Sequence, residues 1–155
     1  MSLAGSSTLL TSLRSLFRKK EQAPSSSLPA PRETSARALP LSPEELHRID
    51  LAVNRWVRGK GYRMPDVTIE ESASRIGCSS AQLYRYCIQR LGKDFRTWRM
   101  QLRIEDAKVL LVQEPDTSAS HIGRMVGIND RSNFLRQFAS VTGMTPLEWR
   151  RQADV

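Results

Sequence analysis

Soft metal ligands are scarce in this chain. Its two cysteines, Cys78 and Cys87, and its two histidines, His47 and His121, stand apart from one another. No Cys-x-x-Cys pair and no second ligand pair exists, so the spacing argues against a zinc site and against a disulfide framework. Both cysteines read as small, mostly buried thiols in a reducing compartment. Long apolar runs are lacking too. Nothing approaches the ~18 consecutive apolar residues of a membrane span, and the start has no continuous apolar core of a secretory signal. The expected location is the cytoplasm. No segment alternates apolar and polar residues over a useful length, so no sheet is expected. Neither a phosphate-binding loop nor a nucleophile-base constellation occurs. No catalytic residue, metal ligand or cofactor is therefore assigned, and no enzymatic activity is expected.

What the chain does have is arginine. Its 155 residues carry 24 Lys and Arg against 16 Asp and Glu, a formal net charge of +8. Residues 1–40 hold six basic side chains against two acidic ones, and residues 41–155 hold eighteen against fourteen, so each part carries +4. The later part is mildly basic, and its cations are mainly Arg, whose planar fork suits phosphate and guanine. Charge of this size is compatible with a nucleic-acid partner without requiring one.

Residues 1–40 are rich in Ser, Pro, Ala and Thr. From 21 to 40 the composition is that of a linker, too polar to bury enough surface to offset its ordering entropy. Before it, Leu9, Leu13, Leu16 and Phe17 recur at helical spacing and run into Arg18, Lys19 and Lys20. Residues 8–20 thus read as a short amphipathic helix or as a basic, acid-poor transit segment. A peptide this short is marginal as an isolated helix, so a disordered tail is the default expectation.

Order is expected from Leu41. Ser42, Pro43 and Glu45 place an N-cap, a first-turn proline and the third residue of a capping box, with Leu41 and Leu46 as a hydrophobic staple. Leu46, Ile49, Val53, Trp56 and Val57 continue one apolar face until Gly59 and Gly61. Thr68 with Glu71 forms a second box, opening a helix with Ile69, Ala73 and Ile76 inward. Ser79 with Gln82 opens the next, which buries Leu83, Cys87 and Tyr86 and ends near Gly92. Asp94 caps a long helix over 95–113, with Phe95, Trp98, Leu102 and Leu110 or Leu111 inward and Arg96, Arg99 and Arg103 as a basic stripe. Pro115 closes it.

Residues 118–150 repeat this design. Ile122, Met125 and Val126 form one helical face, Phe134, Phe138 and Val141 another, and Gly127, Ile128 and Asn129 make the turn between them. That is a helix-turn-helix pattern. Self-comparison finds its partner earlier in the chain. At an offset of 50, Thr68 through Gly77 match Ser118 through Gly127. At 51, Leu83 meets Phe134, Arg85 meets Arg136, Cys87 meets Phe138, Trp98 meets Trp149 and Arg99 meets Arg150. Two helix-turn-helix units are therefore expected, about 68–92 and 118–143, each followed by a helix bearing a Trp-Arg pair. The helix between them, at ~1.5 Å per residue, spans ~28 Å. Recognition helices that enter successive major grooves on one face of B-DNA sit roughly 34 Å apart. The fold class is all-α: two helix-turn-helix subdomains joined by a long linker helix, preceded by an extra helix. The expected domain runs from 41 to 150, with a final helix from 146.

The run Arg103-Ile104, Ala107, Leu110-Leu111, then Ile122, Val126-Gly127, then Ser132-Asn133-Phe134, Arg136, Phe138, then Gly143-Met144-Thr145-Pro146 and Trp149-Arg150 resembles the AraC/XylS family DNA-binding domain. The likeness covers about 68–150, and many fixed spacings agree. It implies a bacterial, sequence-specific regulator of transcription acting on double-stranded DNA, with RNA polymerase as a further candidate partner. It implies recognition helices at about 80–90 and 130–140. The family's base-reading positions fall on Ala81, Gln82, Tyr84 and Arg85, and on Arg131, Ser132, Leu135 and Arg136. Arg85 and Arg136 are the candidate guanine readers, with a phosphate clamp as the alternative. Gln82 can pair with adenine or simply complete its capping box. Arg131, in the first turn, suits phosphate. Ser79 and Asn129 are expected caps whose helix ends donate to phosphate, and Arg96, Arg99 and Arg103 are expected to meet the backbone between grooves, with a solvated face as the alternative. Phe134, Phe138, Trp98 and Trp149 are core.

Three positions depart from the family pattern. Gly123 stands where Ala is usual, Ile128 where Phe is usual and Ser72 where an apolar residue is common, and looser helix packing is expected there. No effector-sensing domain is visible. Regulation is then expected through abundance, partners or the tail, or the chain is the DNA-binding part of a larger sensor-regulator. The competing class is a helical protein-interaction module, using the 8–20 segment and the basic stripe as docking surfaces.

Overall fold

Each helix begins where a side chain can accept the backbone N–H groups that the first turn leaves unpaired. The computed structural model describes residues 39–153, so the tail readings for 1–38 lie outside the described residues. Seven α-helices follow in order, with no strand among the described residues. Helix α1 (Pro43–Arg58) starts on the Ser42–Glu45 box: Glu45 N donates to Ser42 Oγ at 3.2 Å and Ser42 N to Glu45 Oε2 at 3.0 Å. It buries Ile49, Val53 and Trp56. A 3₁₀ turn at Gly61–Arg63 buries Tyr62. Helix α2 (Ile69–Ile76) starts on the Thr68–Glu71 box and ends at Gly77, which is left-handed at φ 89°. Helix α3 (Ser80–Tyr86) starts on the Ser79–Gln82 box.

The chain beyond α3 departs from a plain helix. Cys87–Leu91 widens into a π-helical turn that ends at Gly92. The widened turn leaves Ile88 exposed while Cys87 is fully buried. Composition carries no marker for such a bulge, and the sequence reading continues as one helix to Gly92.

Helix α4 (Phe95–Gln113) is the axis of the domain. Its N-terminal half packs into an aromatic cluster: Trp98 lies 5.9 Å from Trp56 and 6.0 Å from Phe95, and Trp56 lies 6.3 Å from Tyr62, centroid to centroid. Its C-terminal half contributes Ile104, Ala107, Leu110 and Leu111 to a second core with Ile122, Val126, Ile128, Phe134 and Phe138. No idle spacer separates the two cores. Leu102 is buried in the first half and Ile104 in the second, so packing on the helix passes from one unit to the other within a turn.

Helix α5 (Ala119–Met125) is capped by Ser118, whose hydroxyl accepts from His121 N at 3.2 Å. Helix α6 (Arg131–Thr142) is capped by Asp130, whose carboxylate accepts from Asn133 N at 2.6 Å. Asn129, expected as that cap, is an exposed turn residue instead. The aspartate lies one residue nearer the helix, and its charged acceptor bonds the third amide of α6. Helix α7 (Pro146–Ala153) opens with Thr145 and Glu148 bonded reciprocally. Trp149 packs edge-on against Phe138, at 6.2 Å, and the Lys108 ammonium sits 4.7 Å above its ring.

Both Trp-Arg pairs do the same work. Arg99 donates to the carbonyls of Tyr62, Met64 and Val67, in the segment that leads into α2. Arg150 donates to the carbonyls of Leu111, Glu114 and Thr117, in the segment that leads into α5. Each helix-turn-helix unit is thus tied at its entrance by the arginine that follows its own tryptophan, and the internal repeat extends from sequence into hydrogen bonding.

Candidate nucleic-acid interface

Helices α3 and α6 are the second helices of the two units, and their inner faces are consumed by packing. Leu83 and Phe134 are fully buried, as are Cys87 and Phe138 beyond them. What remains outward is determined by helical period. On α3, Ala81 and Tyr84 are exposed, and Tyr84 keeps 51% of its surface. Arg85 is half-buried, with Nε donating to the Ala81 carbonyl at 3.2 Å, which lays the guanidinium along the helix. On α6, Arg131, Ser132 and Arg136 are exposed. Arg136 Nη2 donates to Asn133 Oδ1 at 3.0 Å. Leu135 is half-buried and packs against the second core, so only part of its side chain is outward.

Gln82 is occupied at both ends. Its Oε1 accepts from Ser79 N at 3.1 Å and its Nε2 donates to Glu45 Oε1 at 3.3 Å. Pairing with adenine needs both of those groups. In this structure the capping alternative holds, and α1 braces α3 through the same contact. Tyr86 adds to the brace by donating to Asp50 Oδ1 at 2.5 Å, and burial pushes its phenol well above the ordinary range.

One open groove of about 650 Å³ joins the two units. Tyr84 reaches it from α3, Arg96, Thr97 and Arg103 from α4, and Asn133 and Gln137 from α6. Helices α3 and α6 therefore border the same groove on one side of α4. Gln137 did not stand out in the sequence, and Asn133 stood there only as part of the family run Ser132-Asn133-Phe134, with no role of its own. Gln137 Nε2 donates to Asn133 Oδ1 at 2.9 Å, and the pair lines the groove beside Arg136. The signal that links the two is their i, i+4 spacing next to the buried Phe134–Phe138 stripe.

The basic stripe on α4 divides. Arg96 is exposed on the groove. Arg99 is turned inward, 9% exposed, with its fork spent on three carbonyls. Arg103 donates from Nε to the Tyr62 carbonyl at 2.7 Å and from Nη2 to the Met64 carbonyl at 2.6 Å. Burial, with Arg99 close by, lowers its guanidinium to about 10, still charged at neutral pH. Arg99 and Arg103 thus both hold the carbonyls of residues 62–67, a structural use of donors that the sequence reading directed to phosphate. Ser79 keeps its expected place as the exposed cap of α3.

Over residues 72–152, just over half of the chain, the sequence matches the family described as helix-turn-helix domain. The arabinose operon regulatory protein of Escherichia coli is 35% identical over 82 residues, which cover 53% of this chain and 28% of that protein. The crystal structure of a transcriptional regulator from Chromobacterium violaceum, described as AraC-type, shares the fold at a TM-score of 0.60 and 24% identity, covering 72% of this chain and 96% of that one. The chain belongs to the AraC-type helix-turn-helix family. Among further AraC-like relatives, the transcriptional activator NphR of Rhodococcus is 29% identical over 115 residues, 74% of this chain and 34% of that protein. The chain spans about a third of the length of the curated relatives it matches. Those relatives are transcriptional regulators, and this AraC-type domain is a DNA-binding fold. No helix among its described residues is long and apolar enough to cross a membrane.

Proposed function

We propose that this AraC-type chain regulates transcription in the bacterial cytoplasm, as a non-enzymatic protein, by binding one duplex DNA site with two recognition helices in successive major grooves. The observation that carries the reading is the single groove bordered by both α3 and α6, with an exposed arginine from α4 on it. On this reading Arg85 and Arg136 read guanine, and Ala81, Tyr84, Ser132 and Leu135 offer small or apolar contacts to base edges and methyl groups. Arg131 and Arg96 neutralise phosphate, and the N-terminus of α3 at Ser79 directs backbone donors to another. Asn133 and Gln137 join the set from the groove wall. RNA polymerase is the proposed protein partner in activation. The test is selection of bound sites from random duplex DNA by the full chain, followed by footprinting. Two protected major-groove segments about one helical turn apart are expected, with affinity that falls linearly in log salt. A chain that binds all duplexes alike would defeat the proposal.

A further inference from the structure

Residues 59–67, which lead from α1 to α2, touch both helix-turn-helix units. Arg63 grips Asp106 of α4 with both arms of its fork, Nε to Oδ2 at 2.5 Å and Nη2 to Oδ1 at 2.9 Å. Tyr62 adds its hydroxyl to Oδ2 at 3.0 Å, and Lys60 Nζ stands 3.8 Å from Oδ1. Asp106 is only 2% exposed and lies between Ile104 and Ala107, two residues of the second core. The backbone of Arg63 reaches further still. Its carbonyl packs directly on Gly127, the turn glycine of the second unit, so closely that any Cβ there would overlap it. Gly127 also sits at φ 88°, a conformation that disfavours side chains. One residue of the first unit's entrance is thus fixed to the linker helix by its side chain and to the second unit's turn by its carbonyl.

The backbone around this contact is held out of its relaxed form. Lys60 and Asp66, near the two ends of the segment, both adopt left-handed φ, 56° and 53°. Non-glycine residues keep that conformation only where their surroundings over-determine it. Two units packed on one helix through apolar rows keep some freedom to turn about it, because such contacts are not directional. A forked ion pair and a carbonyl wedged on a glycine are directional. We infer that Arg63, held by Asp106, is a positioning residue that fixes the orientation of the two recognition helices and so sets the half-site separation this chain accepts. The half-site part rests on the DNA-binding reading above; the orientation part does not.

The test uses the full chain and an Arg63→Met, Asp106→Leu double variant, which removes both charges together and leaves neither buried alone. Residual dipolar couplings of backbone amides, measured without DNA, compare α2–α3 with α5–α6. The unaltered chain is expected to fit one shared alignment tensor, and the double variant two different ones. A single shared tensor in the double variant overturns the inference. The second readout uses the duplex selected by the unaltered chain, and the same duplex with one base pair added or removed between its two protected segments. One base pair rotates one half-site by about 34°. The unaltered chain is expected to lose at least ~10-fold in affinity and the double variant only ~2- to 3-fold, differences of about 1.4 kcal/mol and under 0.7 kcal/mol. Equal losses overturn the half-site part. If the unaltered chain selects no duplex, the DNA reading fails and the dipolar couplings still decide the positioning role. Should the double variant lose its helical circular dichroism, Arg63→Lys, which keeps the charge and loses the fork, carries both measurements with the same expected directions.

Discussion

Gly123 lies directly under the ring of Phe134. A Cβ at that position would stand 2.9 Å from Phe134 Cγ and 3.2 Å from the Ile128 carbonyl oxygen. From sequence, a glycine inside α5 reads as a weak spot, since Ala is better in a helix by about 1 kcal/mol. The tertiary contact reverses that sign. Gly123→Ala is expected to destabilise the fold by a net ~1–2 kcal/mol, because overpacking against a fully buried ring outweighs the propensity gain. Urea unfolding of both proteins gives the answer, and a more stable alanine variant would sink the close-approach account.

Ser72 presents the opposite case. It is 1% exposed, and its hydroxyl has no hydrogen-bond partner. An unsatisfied buried hydroxyl costs about 1–3 kcal/mol in protein contexts. Ser72→Ala is therefore expected to stabilise by ~1 kcal/mol and to raise the melting temperature by several degrees. Unchanged or lowered melting would mean that the hydroxyl is satisfied in solution.

Arg96 and Arg99 lie three residues apart on α4 but are expected to behave differently. Arg99→Met should reduce stability by ~2 kcal/mol, as loss of charged hydrogen bonds does, and leave the salt dependence of DNA binding unchanged. Arg96→Ala should leave stability nearly unaltered and reduce the salt slope by about 0.9, the release of one phosphate contact. Binding isotherms at four or five salt concentrations, set beside thermal melts, separate the two. A reduced slope for Arg99→Met would restore its phosphate role.

Arg85 and Arg136 are the residues on which sequence preference is expected to depend. Each substitution by Ala should weaken binding to the selected duplex by about 1–3 kcal/mol and relax preference at one base position. Gln82→Ala should instead cost stability, through its cap and its bond to Glu45, with base preference intact. Binding to a panel of single-base variants of the site distinguishes these outcomes. A uniform loss over all variants would make the arginines phosphate clamps.

Asp94 gives the fold an acid limit. The Thr97 backbone N–H holds the Asp94 carboxyl below its usual range; burial opposes it, and the Thr97 hydroxyl adds to the lowering. Glu45 and Glu148 are lowered in the same direction by the backbone N–H groups of Ser42 and Thr145. A carboxyl with a depressed folded pKa contributes stability that is complete above its unfolded value, about 4, and is lost as pH falls through the folded value. Unfolding free energy should therefore decline as pH drops below about 4. Asp94→Asn, which keeps an acceptor oxygen at the cap, should flatten part of that decline. Urea unfolding at a series of pH values measures it, and identical slopes would remove Asp94 from the account.

Helix starts were legible because they are local. A Ser, Thr or Asp cap lies within one turn of the amides it serves, so Ser42, Thr68, Ser79 and Asp94 could be read directly, and the 50- and 51-residue offsets revealed two units and set Ser118 in step with Thr68. The errors are equally specific. Asn129 and Asp130 are both good caps, and one residue of register decided between them. The π turn at Cys87–Leu91 had no compositional marker, Gln137 was one polar residue among many, and Asn133 was marked by the family run without a role.

The sequence by itself determined the all-α class, every helix cap named from it but that of α6, the duplicated unit and the long helix between the copies, because each depends on neighbours within a few residues or on self-similarity. Only the tertiary structure decided which cations face outward. Arg96, Arg99 and Arg103 share one helical stripe, yet two of them turn to the carbonyls of residues 62–67, more than thirty positions away. Spacing reports the face of a helix; what waits opposite that face is a property of the fold. The same reason hid Asp106. Its partners at Tyr62 and Arg63 come from the segment beyond Gly59 and Gly61, where the sequence marked the end of the first helix, and burial beside the second core made that segment a brace.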